Sequence, residues 1–155
     1  MDFQLLADRV EAIPIIAQWY FDEWGHMVVG NSFEKSCERI RGKLNRDKPP
    51  LHMLAKEGEK VLGVAQFKLR EMEIYPEREH WLGGVFVAPE ARGGGIASML
   101  SLRIAEIAQT LGATKLFLQT ERLDGGLYAR LGWLPLERVR YHGVEVLVME
   151  KELGK

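Results

Sequence analysis

The stretch VFVAPEARGGGIASML at 85–100 constrains the fold most, because it joins a strand to a helix through three consecutive glycines. An apolar, strand-like run at 85–87 ends at a proline. Apolar residues then recur at helical spacing over 96–111, which predicts an amphipathic helix. Glycine loses more conformational freedom on folding than any other residue, so three together in an ordered junction need a specific reason.

The junction has the composition of an anion-binding site. A helix N-terminus carries free N–H groups and a partial positive charge. Gly93, Gly94 and Gly95 have no side chains to block a ligand, and Arg92 adds a guanidinium. These features predict a cradle for phosphate or pyrophosphate, with a plain tight loop as the alternative. The P-loop pattern is absent, and the position after a hairpin is not typical of a Rossmann unit.

The remaining pattern predicts a mixed α/β sheet, with antiparallel strands first and one strand–helix–strand crossover in the middle. Asn31 and Glu34 resemble a capping box that opens the second helix. The predicted helices are 13–24, 31–44, 96–111 and a short one within 124–132. The predicted strands are 3–7, 51–58, 60–70, 81–87, 114–119, 136–141 and 144–151.

Length and charge restrict the classes of function. A chain of 155 residues is expected to form one domain. Its 21 basic and 22 acidic side chains give a net charge of −1, which offers no global attraction for nucleic acid or an anionic membrane. The chain lacks an apolar run of the roughly 20 residues that span a bilayer and lacks a secretory pattern. The one cysteine, Cys37, has core-like helical spacing rather than the setting of a nucleophile. We therefore expect a cytoplasmic monomer or homodimer.

Two motifs carry a resemblance to a known family. The first reads Val85-Phe86-Val87-Ala88-Pro89, then Arg92-Gly93-Gly94-Gly95-Ile96-Ala97. The second reads Leu127-Tyr128-Ala129-Arg130-Leu131-Gly132-Trp133. With these motifs in this order, the sequence resembles the GNAT superfamily of acyl-CoA-dependent N-acyltransferases over nearly its whole length. The resemblance implies one domain over 1–155 with the order β-α-α-β-β-β-α-β-α-β-β. Its mostly antiparallel sheet would have about six or seven strands, flanked by about four helices.

The resemblance implies acetyl-CoA as the co-substrate. The pyrophosphate would be wrapped by Arg92, Gly93, Gly94, Gly95, Ile96, Ala97 and Ser98. The exposed edge of Val85, Phe86 and Val87 would pair with the pantetheine arm as an added strand. A β-bulge in this strand, which the glycines at 83–84 favour, would direct one N–H toward the thioester carbonyl.

The second motif implies a general acid. Tyr128 matches the family residue that protonates the leaving CoA thiolate after direct attack by the amine; the alternative is a packing role. Trp81 and Leu116 stand where two branches of the family carry a glutamate base. The loop before the strand offers Glu79 or His80 as the base, and water is a further alternative.

The family architecture places the acceptor between the first two helices, the 71–80 loop and the C-terminal hairpin. The acceptor would be a primary amine of a small molecule or a peptide. Because the 71–80 loop is acidic on balance, a cationic amine is favoured. Trp19, Trp24, Tyr75 and Trp81 would line this groove, with a core position as the alternative for the tryptophans of the first helix.

Departures from the family pattern leave other classes open. Glu121 stands where many members carry an asparagine that binds pantetheine. This departure and the missing glutamates favour an acyl-CoA-binding regulatory domain without catalysis, although Tyr128 argues against it. A nucleotide-binding structural protein is a third class. Glu73 is a further candidate base. No metal site is expected, because the histidines do not cluster in sequence with acidic or thiol ligands.

Overall fold

Helices and strands follow the predicted order. The computed structural model describes residues 1–154, which form seven strands and four α-helices. The strands are β1 (Asp2–Leu5), β2 (Leu51–Glu57), β3 (Lys60–Leu69), β4 (His80–Val87), β5 (Lys115–Thr120), β6 (Leu134–Tyr141) and β7 (Val144–Glu152). The helices are α1 (Ile13–Trp24), α2 (Phe33–Arg41), α3 (Ile96–Thr110) and α4 (Gly126–Arg130). The mixed α/β class and the order of elements are confirmed.

One sheet contains all seven strands in the order β1-β2-β3-β4-β5-β7-β6. Every neighbouring pair is antiparallel except β4 and β5, which run parallel and pair only at Trp81 and Phe117. Beyond that pair the two strands diverge, because no further register partners join them within residues 1–154. The sheet therefore opens at the carboxyl ends of β4 and β5, next to the start of α3.

A β-bulge interrupts β4 at the predicted glycines. The register between β3 and β4 shifts by one residue between the pairs Val64–Phe86 and Gln66–Gly83. Gly84 lies in this interval with φ of +56°, in the left-handed region that glycine adopts without strain. The extra residue bends the strand and leaves one ladder position unpaired, beside the opening in the sheet.

The two faces of the sheet bury different cores. On one face, Leu100 and Ile104 of α3 lie in a cluster with residues of the central strands. On the other face, α1 and α2 pack against Leu54 and Val64. Cys37 belongs to this second cluster and is 5% exposed, which confirms the core position expected from its helical spacing.

The start of α2 differs from the predicted capping box by one residue. Ser32, rather than Asn31, is the N-cap, and its Oγ accepts a hydrogen bond from the Lys35 N–H at 3.1 Å. The Asn31 side chain is engaged elsewhere, because its Oδ1 accepts from the Ser32 N–H and from Arg39. The helix ends at Arg41, three residues before the predicted end. Within residues 1–154, the structure contains no helix with the length and apolarity that crossing a membrane requires.

Candidate active site

The N-terminus of α3 has the geometry of an open cradle. Gly93 and Gly95 have φ of +85° and +82°, which lets the chain turn sharply into the helix. The Met99 N–H donates to the Gly95 carbonyl at 3.1 Å as the first turn of the helix closes. The amides just before Met99 therefore have no intrahelical acceptor. A Cβ placed on Gly93 or Gly95 would meet no atom within 4 Å, so a ligand has free access to this end of the helix.

Arg92 is held at the edge of the cradle by two contacts with β4. Its Nε donates a hydrogen bond to the Val87 carbonyl at 3.0 Å. Its guanidinium carbon lies 5.3 Å from the centre of the Phe86 ring. These contacts hold the guanidinium in place and put its positive charge between the sheet edge and the helix end.

A cavity of about 420 Å³ extends from this edge into the opening between β4 and β5. Its lining brings together Val85, Phe86, Val87, Arg92 and Ala97 of the predicted cofactor site. Gly93, Gly94, Gly95, Ile96 and Ser98 do not line it, and the Ile96 side chain is buried in the core. These residues can therefore offer a ligand their backbone amides rather than their side chains.

Tyr128 on α4 lines both this cleft and a second, larger cavity. Its ring packs edge-on against the Trp133 ring, with 6.1 Å between ring centres. The main-chain N–H of Trp133 also donates a hydrogen bond to the main-chain carbonyl of Tyr128 at 3.0 Å. Burial raises the pKa of the Tyr128 hydroxyl, and a hydrogen bond with Ser101 partly opposes this. The phenol thus stays protonated through neutral pH at the junction of the two cavities.

The larger cavity, of about 630 Å³, lies on the α1/α2 face of the sheet and is referred to below as the acceptor cavity. Its floor is a row of three residues paired across β2, β3 and β4: His52, Gln66 and Gly83. Its walls come from α1, α2, the segment after β3 and the tip of the β6–β7 hairpin. This location agrees with the predicted acceptor groove.

Tyr20 links the floor of the acceptor cavity to the bulge in β4. Its hydroxyl donates a hydrogen bond to the Gly84 carbonyl at 2.7 Å. Burial raises the pKa of Tyr20, so the hydroxyl stays protonated through neutral pH and can donate this hydrogen bond. The sequence analysis missed Tyr20, His52 and Gln66. For His52 and Gln66, the available signal was a polar residue inside the otherwise apolar stretches at 51–55 and 61–67.

The predicted groove aromatics have different positions. Trp24 lines both cavities. Trp19 packs on Phe86 with ring centres 5.2 Å apart, and Tyr75 lies under the Arg78 guanidinium. These two side chains line neither cavity, and for Trp19 the contact agrees with the alternative of a packing role. The groove prediction is wrong for Trp81, which is fully buried and donates from Nε1 to the Arg78 carbonyl at 2.6 Å. Its indole faces the interior because β4 is covered on that side by β7 residues.

The candidate bases lie outside both cavities. Glu79 pairs with Arg70 at 2.9 Å, and the His80 ring stacks near Phe67 at 5.5 Å between centres. Glu73 accepts a hydrogen bond from the Tyr141 hydroxyl, which lowers the pKa of its carboxyl. Among residues 1–154, no three or more His, Cys, Asp or Glu side chains lie together in a group that could hold a metal ion.

A sheet that opens beside a glycine-lined helix end, with a partly buried phenol at the opening, agrees with the arrangement expected of an acyl-CoA-dependent acyltransferase. The chain belongs to the Acetyltransferase (GNAT) family, whose sequence model matches residues 13–133. No curated protein sequence matches the chain.

Solved acetyltransferase structures share the fold of this chain. An aminoglycoside 6'-N-acetyltransferase complexed with coenzyme A has a TM-score of 0.78 at 13% identity, covering 100% of this chain and 98% of its own. An aminoglycoside 6'-acetyltransferase type Ii has a TM-score of 0.77 at 15% identity, covering 100% and 99%. A ribosomal-protein-alanine N-acetyltransferase from Brucella melitensis has a TM-score of 0.74 at 21% identity, covering 98% and 99%. At these identities the likeness concerns the fold.

Proposed function

We propose that this protein is an N-acetyltransferase that moves an acetyl group from acetyl-CoA to a primary amine of a small molecule or peptide by direct transfer. One observation carries the proposal. Tyr128 lines both the cleft that starts at the α3 cradle and the acceptor cavity. A donor in the cleft and an amine in the acceptor cavity would meet beside its hydroxyl, with no covalent enzyme intermediate required.

The residues of the cleft fit an acyl-CoA. Bound acetyl-CoA supplies a thioester, whose acyl group is activated toward amines. The free amides at 93–98 and the Arg92 guanidinium would hold the pyrophosphate, because oriented N–H groups and a cation together favour an anion. The edge at 85–87 would hold the pantetheine arm through main-chain hydrogen bonds. The unpaired ladder position at the β4 bulge would supply an N–H donor for the thioester carbonyl.

Proton movements are assigned to two sites. Tyr128 would donate its hydroxyl proton to the leaving sulfur, a role that its raised pKa suits because the phenol is protonated at neutral pH. Glu79 or His80 remains the predicted base. Since both lie outside the acceptor cavity, either would take the proton of the amine through intervening water.

The test is thiol release from acetyl-CoA in the presence of a panel of amines, with product masses measured. Tyr128→Phe should lower kcat about 100-fold while acetyl-CoA binding is unchanged. Tyr75→Phe is the matched control, because Tyr75 lines neither cavity, and its kcat should be unchanged. Tight acetyl-CoA binding without acetylation of any amine would instead identify a regulatory acyl-CoA-binding domain.

A further inference from the structure

The floor of the acceptor cavity contains polar atoms with no partner in the protein. His52 and Gln66 face each other across β2 and β3 and are 2% and 6% exposed. Within residues 1–154, both ring nitrogens of His52 and the Oε1 of Gln66 are buried without a hydrogen bond. Buried polar groups are nearly always paired in native proteins. These three atoms therefore indicate a polar ligand that completes their hydrogen bonds.

Positive charge predominates on the wall above this floor. Arg39 and Lys43 come from the α2 side and Lys68 from β3, and all three line the cavity. Glu71 is the nearby carboxylate, and it pairs with Lys68 at 2.6 Å. In the described part of the chain, Arg39 bonds only to the neutral Asn31 and Ser36 side chains, and Lys43 forms no ion pair.

Lys43 is a partly buried cation in this wall. Burial lowers the pKa of its ammonium, and the positive charges of Lys68 and Arg39 lower it further, with Glu71 opposing. An anionic group beside Lys43 would offset both the lost hydration and the repulsion. At the opposite side of the cavity, Glu121 and Arg122 contribute one charge of each sign, so the positive excess stays on the α2 side.

The His52 ring is a neutral donor and acceptor at the same end. Burial lowers its pKa to about 3, and the Lys43 and Lys68 charges act in the same direction. The main chain of Lys43 lies near the ring and acts in the opposite direction, although it does not complete a hydrogen bond of normal geometry with either ring nitrogen. A neutral imidazole presents one N–H and one bare nitrogen, so His52 can donate to an anion without being protonated.

Gln66 reaches the other end of the floor, beside the reaction site. Its amide lies so close to Gly84 that a Cβ on that glycine would overlap with the Gln66 Nε2. The unpaired Oε1 is thus an acceptor next to the β4 bulge, where an amine would approach the thioester. His52 lies two strands from β4, which is about 10 Å across the sheet. A molecule that touches both ends needs several methylene groups between its amine and its other polar group.

We propose that the acceptor is a primary amine that carries a carboxylate several bonds away, with the carboxylate bound by Lys43 and His52 and the amine N–H bound by Gln66. This inference rests on the proposed function and specifies its substrate. It reverses the cationic acceptor predicted from the acidic 71–80 loop. Three acids of that loop do not line the cavity and have partners of their own: Glu73 with Tyr141, Glu77 with Arg78, and Glu79 with Arg70. The fourth, Glu71, lines the cavity, and its charge is offset by the ion pair with Lys68.

Matched probes that differ only in charge test the inference. The probes are 4-aminobutyrate and 6-aminohexanoate, the corresponding carboxamides, in which a neutral amide replaces the carboxylate, and spermidine as a polycationic amine. Binding is measured by calorimetry and acetylation by thiol release, for the wild type, Lys43→Met, Lys43→Arg and Arg41→Met. Arg41 is exposed at the end of α2, two residues before Lys43, and does not line the cavity, so its variant controls for a general loss of charge. Urea unfolding checks that each variant is folded.

The wild type should bind at least one amino acid about tenfold or more tightly than its amide, because a charge-assisted hydrogen bond is lost in the amide. Lys43→Met should abolish this preference, whereas Lys43→Arg and Arg41→Met should keep it. Equal binding of acid and amide, or a preference that survives in Lys43→Met, overturns the inference.

The two proposals fail in distinguishable ways. Fastest acetylation of spermidine or of an amide would leave the N-acetyltransferase assignment standing and refute the anionic acceptor. Conversely, Lys43-dependent binding of the amino acids without any acetylation would support the carboxylate site and refute the assignment as an acetyltransferase.

Discussion

Replacing Gly84 with alanine tests whether the β4 bulge requires glycine for packing as well as for backbone freedom. The φ of Gly84 is +56°. A Cβ built there would overlap with the Gln66 Nε2 and lie 2.8 Å from the Tyr20 hydroxyl oxygen. Both side chains would have to move, and the hydrogen bond from Tyr20 to the Gly84 carbonyl would be lost with them.

The expected cost has two parts. An L side chain in the left-handed region costs about 1 to 2 kcal/mol, and the lost Tyr20–Gly84 hydrogen bond adds about 1 kcal/mol. The free energy of unfolding should therefore fall by about 2 to 3 kcal/mol. For a chain of this length, that corresponds to a drop in Tm of about 5 to 10 °C.

The control is Gly58→Ala in the turn between β2 and β3. Gly58 has φ of +59°, nearly the same as Gly84, but a Cβ there would meet no atom within 4 Å. It should therefore show only the backbone cost, and urea unfolding should separate the two variants by about 1 kcal/mol. Equal midpoints for the two variants would refute the claim that Tyr20 and Gln66 pack against the bulge.

Two further predictions concern the cradle and the cavity floor. Gly94 has an ordinary φ, and its Cβ would lie 3.8 Å from the Ala91 carbonyl, so Gly94→Val should fold normally. The same variant should weaken coenzyme A binding about tenfold or more in calorimetry, and unchanged affinity would contradict the cradle. The pKa of His52 is 6.5 in the unfolded chain and about 3 in the folded chain, so only the unfolded state binds a proton between these values. The free energy of unfolding therefore decreases as pH falls from 6.5 to 3, by up to about 1.4 kcal/mol per pH unit. His52→Leu should remove this contribution to the pH dependence of the urea midpoint between pH 7 and 4. If the midpoints of the wild type and the variant change in parallel with pH, the buried ring is not held neutral.

Much of the fold was predictable because its signals are local. The 13–24 helix appears with the predicted bounds, since apolar spacing and Pro14 in the first turn act within a few residues. The capping box at Asn31 was misplaced by one residue because Arg39, a full two turns away, takes part in the Asn31 contacts. Trp81 was misassigned to the groove because the face that a strand residue covers depends on strands far along the chain.

The sequence by itself determined the cradle: a strand, a proline, Arg92, three glycines and an amphipathic helix are contiguous, so their geometry follows from backbone freedom and helix ends. Only the tertiary structure decided which polar residues line the larger cavity. His52 and Gln66 become neighbours through the register of β2 on β3, and the turn after α2 brings Lys43 into the same lining. Such juxtapositions arise from pairing between distant segments, and they are the basis for proposing an anionic group on the acceptor where the 71–80 loop alone indicated a cationic amine.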